Sequence, residues 1–247
     1  MLDSVTISLI AATFLVAGGV KGVIGLGLPT ISLAVLTAAI GLHPAMALML
    51  APSFVTNVWQ AVVGGNFKAI IARIWPFLTM ATVTIWFGAA ALTRIDVSYL
   101  SALLGALLVA YALVGLGGTR FRMSESRERW AGPLFGAING ILTGMTGSFA
   151  VPGIPYLQAL GLPRDLLVQA MGMLFTASTV ALAVSLGGKH MLTVELGAIS
   201  AAAVVPACIG MIIGRRARRK IPETMFRRIF YLALIALGGY IIVRSVT

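Results

Sequence analysis

Residues 18–25 read GGVKGVIG and residues 140–147 read GILTGMTG. Both are G-x-x-x-G-x-x-G, at a separation of 122, and the first copy carries Lys21 inside otherwise apolar sequence. The run 18–29, GGVKGVIGLGLP, holds five glycines and a proline, which a plain membrane anchor does not need. Glycine lets backbone approach a ligand without a side chain in between. Proline is tolerated in the first turn of a helix. A helix restarting near Pro29 or Pro152 therefore aims free amides and its positive dipole end at the break before it. An anion held in low dielectric needs such donors and positive charge, and Lys21 brings a full charge where intramembrane charges are functional by default. Each feature also has a structural role. Glycines four apart let membrane helices pack closely. On a straight helix from Ser4, Lys21 lies about 25 Å along at ~1.5 Å per residue, near an interface where lysine can snorkel to water.

A second polar set follows each copy. Ser53, Thr56, Asn57 and Gln60 fall at i, i+3, i+4 and i+7, one face of a helix. Thr176 and Thr179 match Ser53 and Thr56 at a separation of 123. Asn57 and Gln60 can donate to an oxyanion, and interhelical hydrogen bonding is the alternative use of the same residues. The candidate substrate-binding residues are Lys21, Gly22, Gly25, Gly27, Thr30, Asn57, Gln60, Gly144, Gly147, Ser148, Thr176 and Thr179.

Catalysis is poorly served. His43 and His190 are the only histidines and fall at expected outer turns; Cys208 is the only cysteine and stands alone in an apolar stretch. The seven acidic residues lie at or near expected helix ends. No catalytic residue, metal ligand set or cofactor is expected, so the chain reads as a non-enzyme.

The elements that must position these residues are membrane helices. Of 247 residues, 59% are apolar and 10% charged, against about 25% charged in soluble domains, and the mean hydropathy is +1.01. Apolar stretches fall near 4–41, 44–63, 72–92, 98–117, 132–160, 166–186, 192–213 and 225–243. The arginine-rich breaks GGTRFRMSESRERWAGP (117–133) and GRRARRKIPET (214–224) both belong on the cytoplasmic side. That requires an even number of crossings between them, so 132–160 must enter and return on the same side, reversing within GMTGSFAVPGIP. By the same logic 4–41 is a hairpin that breaks at GLGLP, and the N-terminus is outside and retained as a membrane segment. The cytoplasmic ends then hold Lys68, Arg73, Arg120, Arg122, Arg127, Arg129, Arg164, Arg215, Arg216, Arg218, Arg219, Lys220, Arg227 and Arg228, against Arg94, Lys189 and Arg244 outside. That split accounts for the net charge of +11 without nucleic acid as a partner.

The expected fold is an all-α polytopic membrane protein of about eight to ten segments. Residues 1–118 form a first inverted repeat, 119–130 a cytoplasmic connecting loop and 131–247 a second inverted repeat, within one transmembrane domain. Inverted repeats with broken hairpins at matching positions point to a transporter site near the midplane.

Two glycine motifs, each followed by a proline and a Gly-Leu turn, resemble the sulfite exporter TauE/SafE family of bacterial membrane proteins. The resemblance covers the whole chain in length, repeat spacing and hydropathy. It implies export of sulfite or an organosulfonate such as sulfoacetate, by a multi-pass protein of the bacterial inner (plasma) membrane, with a small anion and the lipid bilayer as partners. The family's glycine run after the third motif glycine is reduced here to GLGLP and GSFAVP, and Ser148 stands where a bare amide is lost. Another small anion, or a non-transporting assembly subunit, is the alternative reading, and exposed small-residue faces would allow a homodimer.

Overall fold

The computed structural model describes residues 3–118, 122–218 and 222–247. Arg120, Arg219 and Lys220 of the charge count lie outside the described residues. Helices make up the fold, with no strand among the described residues. In chain order they are α1 (Ser4–Ile24), α2 (Leu28–Ile40), α3 (Leu42–Leu48), α4 (Leu50–Val62), α5 (Phe67–Val83), α6 (Ile85–Ala90), α7 (Val97–Gly117), α8 (Glu125–Thr146), α9 (Gly153–Ala159), α10 (Arg164–Gly188), α11 (Val194–Ala202), α12 (Val204–Ala217) and α13 (Glu223–Val246). Among the described residues six spans are long and apolar enough to cross a bilayer, or seven if α3 and α4, bent by 44°, count as one. The chain is a polytopic helical membrane protein. Exposed Val16, Phe87, Leu113, Val184, Ile213 and Val243 give its helices apolar outer faces, which lipid tolerates and water does not.

Both expected reversals are present. α1 ends at Gly25 and α2 restarts three residues later with Pro29 in its first turn. α8 ends at Gly147 and α9 restarts after Pro152. The returning arms are short, 13 and 7 residues, or about 20 and 10 Å at 1.5 Å per residue. Neither reaches across a hydrocarbon core of about 30 Å.

The chain divides into two compact units. One holds residues 1–52, 97–117 and 190–247; the other holds 53–96 and 118–189. Each draws on both halves of the sequence. In the first, α1 runs parallel to α12 at backbone contact. A Cβ at Gly18 would meet the Ala207 carbonyl oxygen at 2.1 Å, and one at Gly22 the Met211 oxygen at 2.4 Å; Gly210 and Gly214 answer from α12 against Leu15 and Gly19. In the second, α8 runs parallel to α5 and α6 in the same manner. Cβ atoms at Gly136, Gly140 and Gly144 would meet the carbonyl oxygens of Phe77, Ala81 and Ile85 at 2.4, 2.6 and 2.2 Å. The first two glycines of each motif copy are thus occupied in helix packing, the small-xxx-small use.

Three breaks were not anticipated: Met49 between α3 and α4, Thr84 between α5 and α6, and Ala203 between α11 and α12. At the first, Pro52 has no N–H to give the Leu48 carbonyl. Ser200 replaces it from α11, its Oγ donating to Leu48 O (2.8 Å) and accepting from the Ala51 N–H (3.1 Å).

Gly144→Ala should destabilise the protein by about 1–3 kcal/mol or more, because the new methyl meets backbone that cannot yield. Gly239→Ala, with nothing within 4 Å, should be neutral or stabilising by up to about 1 kcal/mol. Thermal unfolding of both variants in one detergent makes the comparison; equal midpoints would remove the packing role from Gly144.

Candidate anion-binding helix breaks

The third glycine of each motif copy has a different job. Gly25 (φ 80°, ψ 3°) and Gly147 (φ 75°, ψ −2°) both adopt the left-handed conformation and close their helices. The Gly25 N–H donates to Lys21 O (2.8 Å) and the Gly147 N–H to Thr143 O (2.7 Å). A side chain at such a φ costs roughly 1–2 kcal/mol, so glycine ends the helix at the same place in both copies and turns the chain back.

In the first unit, α2 restarts from Gly27 (φ 106°) with no side-chain cap. The amides of Leu28 and Thr30 belong to the first turn, which has no intrahelical acceptors. Both residues are buried. Lys21 is only 4% exposed; it does not reach out to the surface as a snorkelling lysine would. Its neighbour Gly22 packs against Met211, Gly214 and Arg215, which sets Lys21 at the level of the basic end of α12.

In the second unit the loop between α8 and α9 is tied by side chains of α8. Thr143 Oγ1 donates to Ser148 O (2.9 Å), the Ser148 N–H donates to Thr146 Oγ1 (3.2 Å), and the Gly153 N–H donates to Asn139 Oδ1 (2.9 Å). Asn139 is fully buried, and its Nδ2 has no hydrogen-bond partner among the described residues. Because Oδ1 is committed to Gly153, Nδ2 is left as a donor at the break. Ser178 is also fully buried with an unpartnered hydroxyl, one turn beyond Leu174, which packs at Gly153.

The polar stripe divides in its use. Gln60 Nε2 donates to Val168 O (2.7 Å), and Gln169 Nε2 donates to Ala61 O (2.8 Å), a reciprocal tie between α4 and α10. Gln60 thus has the interhelical role. Thr176 and Thr179 donate to their own helix, to Gly172 O (2.7 Å) and Phe175 O (2.6 Å). Asn57 is buried in α4, as is Ser53, whose hydroxyl has no partner among the described residues. The candidates therefore fall into two groups, Lys21, Gly22, Gly25, Gly27 and Thr30 in the first unit and the remainder in the second. Asn139 and Ser178 were missed. The readable signal for Asn139 was a lone amide in an apolar helix, one residue ahead of the second motif.

No group of three or more His, Cys, Asp or Glu that could hold a metal is present among the described residues. The acidic residues stand at helix starts: Asp3 caps α1, Asp165 and Glu195 lie in first turns, and Asp96 precedes α7. Negative charge is stabilised there by the dipole.

Apolar spans interrupted by helix breaks are those of a polytopic membrane protein. The family model for the sulfite exporter TauE/SafE matches residues 10–241, and the chain belongs to that family, whose members are membrane transporters of sulfur-containing anions. Comparison with curated proteins and with solved structures gives no match.

Gly25→Ala and Gly147→Ala should each cost about 1–2 kcal/mol, and by similar amounts because the two caps share one geometry. Denaturant titration in micelles checks this. A cost at one glycine alone would mean that the second cap is dispensable.

Proposed function

We propose that this chain exports sulfite or a small organosulfonate, such as sulfoacetate, across the bacterial plasma membrane by alternating access. The observation that carries the reading is the pair of helix breaks, closed by left-handed glycines 122 residues apart and each flanked by buried donors. The same correspondence supports two inverted repeats, 1–118 and 131–247, with the N-terminus outside. On this reading each unit offers donors at its own break: Lys21 and the first-turn amides of α2 in the first, and Asn139 with the 149–151 backbone in the second. Gly25 and Gly147 shape the breaks, and Gly22 and Gly144 hold the helices that end there.

Lys21→Gln should weaken anion binding by about tenfold or more, the worth of one charge-assisted hydrogen bond of roughly 1.5–3 kcal/mol. Binding is read by anion-dependent thermal stabilisation in detergent, which scales with occupancy. An unchanged affinity would take Lys21 out of the site.

The energy source follows from where the acids lie. With carboxylates at helix starts, no buried carboxylate relay for protons is present among the described residues, and the negative cell interior already drives anions out. One charge crossing the membrane is worth about 2.3 kcal/mol per 100 mV, and a dianion about twice that. Efflux of labelled sulfite from proteoliposomes, with the potential clamped by potassium and valinomycin and no proton or sodium gradient, should speed up when the outside is made positive and slow when the sign is reversed. Rates that ignore the potential and follow an imposed pH gradient would replace this reading with proton coupling.

A further inference from the structure

A cavity of about 590 Å³ opens between the first halves of α5 and α8, with Tyr156 of α9 in its wall. Two prolines help to make it. Pro76 cannot donate to the Ala72 carbonyl, and Pro133 cannot donate to that of Arg129. Gly132 leaves the wall between them open; a Cβ there would come within 3.0 Å of the Tyr156 hydroxyl. Tyr156 is held by stacking between Phe77 (4.5 Å between ring centroids) and Phe135 (5.7 Å). It is 4% exposed, faces this cavity, and its hydroxyl makes no hydrogen bond among the described residues.

The charges here are unequal. Arg73 grips Glu128 with two hydrogen bonds, Nε to Oε2 (3.0 Å) and Nη2 to Oε1 (2.7 Å), which neutralises the carboxylate and joins α5 to α8. Arg129 lines the same cavity, is exposed, and makes no ion pair or hydrogen bond among the described residues. A guanidinium and a buried phenol are left as donors. Trp75 and Trp130 are 58% and 60% exposed, as in the aromatic belt at a membrane interface. Beyond them on α8, Leu134, Ile138 and Ile141 are exposed at i, i+4 and i+7, an apolar track leading away from the charges.

We propose that this cavity binds the headgroup of an anionic phospholipid. The phosphodiester meets Arg129 and the Tyr156 hydroxyl, and the acyl chains lie along Leu134, Ile138 and Ile141. Basic pockets between membrane helices on the cytoplasmic side are suited to such headgroups; that placement rests on the orientation proposed above, whereas the test does not depend on transport. A free oxyanion would use the same donors but not the apolar track.

The test is a lipid titration of the full chain in detergent followed by native mass spectrometry, using phosphatidylglycerol and phosphatidylcholine, with inorganic phosphate and glycerophosphate as competitors. Phosphatidylglycerol should bind with clear preference over phosphatidylcholine. Arg129→Gln should weaken it by about tenfold, Tyr156→Phe several-fold, and Arg216→Gln not at all. Equal binding of the two lipids, or full affinity in Arg129→Gln, would overturn the proposal. So would displacement of phosphatidylglycerol by inorganic phosphate at the concentration of the lipid itself, which would make the cavity a free-oxyanion site. Absence of sulfite efflux by the unmodified protein, with phosphatidylglycerol still bound, would count against the transport reading alone.

Discussion

Backbone contact across glycine is the constraint on which both units depend. In lipid there is no hydrophobic drive between helices, so association comes from packing and polar contacts. At Gly18, Gly22, Gly140 and Gly144 the neighbouring carbonyl sits where a Cβ would be, close enough for Cα–H···O contacts worth about 0.5–1 kcal/mol each. These contacts fix how far α1 slides along α12 and how far α8 slides along α5 and α6. Because Gly25 and Gly147 end those same helices, the packing also fixes the depth of each break.

A break inside a bilayer is costly unless its backbone groups find partners within the protein. The means differ from break to break. Ser200 spans the gap that Pro52 leaves between α3 and α4. Thr84 Oγ1 lies 2.7 Å from Met80 O and 2.9 Å from Ala137 O at the α5–α6 break, tying it to α8. Asn139, Thr143 and Thr146 hold the turn from α8 to α9. The turn from α1 to α2 has glycine geometry and Lys21 beside it, and α2 restarts without a side-chain cap.

Much of this was legible in the sequence, for identifiable reasons. Apolar length and arginine placement gave the spans, because desolvating charge in lipid is too costly to hide. The reversals at Gly25 and Gly147 were readable because glycine and proline carry local backbone preferences. The break at Met49 was not, since its closure depends on Ser200, 151 residues further on. The roles of Gln60, Thr176 and Thr179 were also hidden. Helical spacing shows that residues share a face, but not whether a hydroxyl faces a ligand or bonds to the preceding turn. Asn139 escaped notice because periodicity draws attention to repeated polar residues, and this one is not repeated.

In the sequence, Gly18, Gly22 and Gly25 correspond to Gly140, Gly144 and Gly147 at a separation of 122, and what they share is packing and capping. Neither task discriminates one anion from another. The polar residues at equivalent positions differ: Lys21 stands against Thr143, and Asn139 against the fully buried Ala17. Thr143 is committed to its own turn, whereas Asn139 keeps a buried donor. A donor left unpaired in low dielectric strongly favours a partner that completes it and rejects one that does not. On the proposed reading, then, the repeated glycines build a scaffold common to both halves, and the choice of anion lies in the residues that break the repeat.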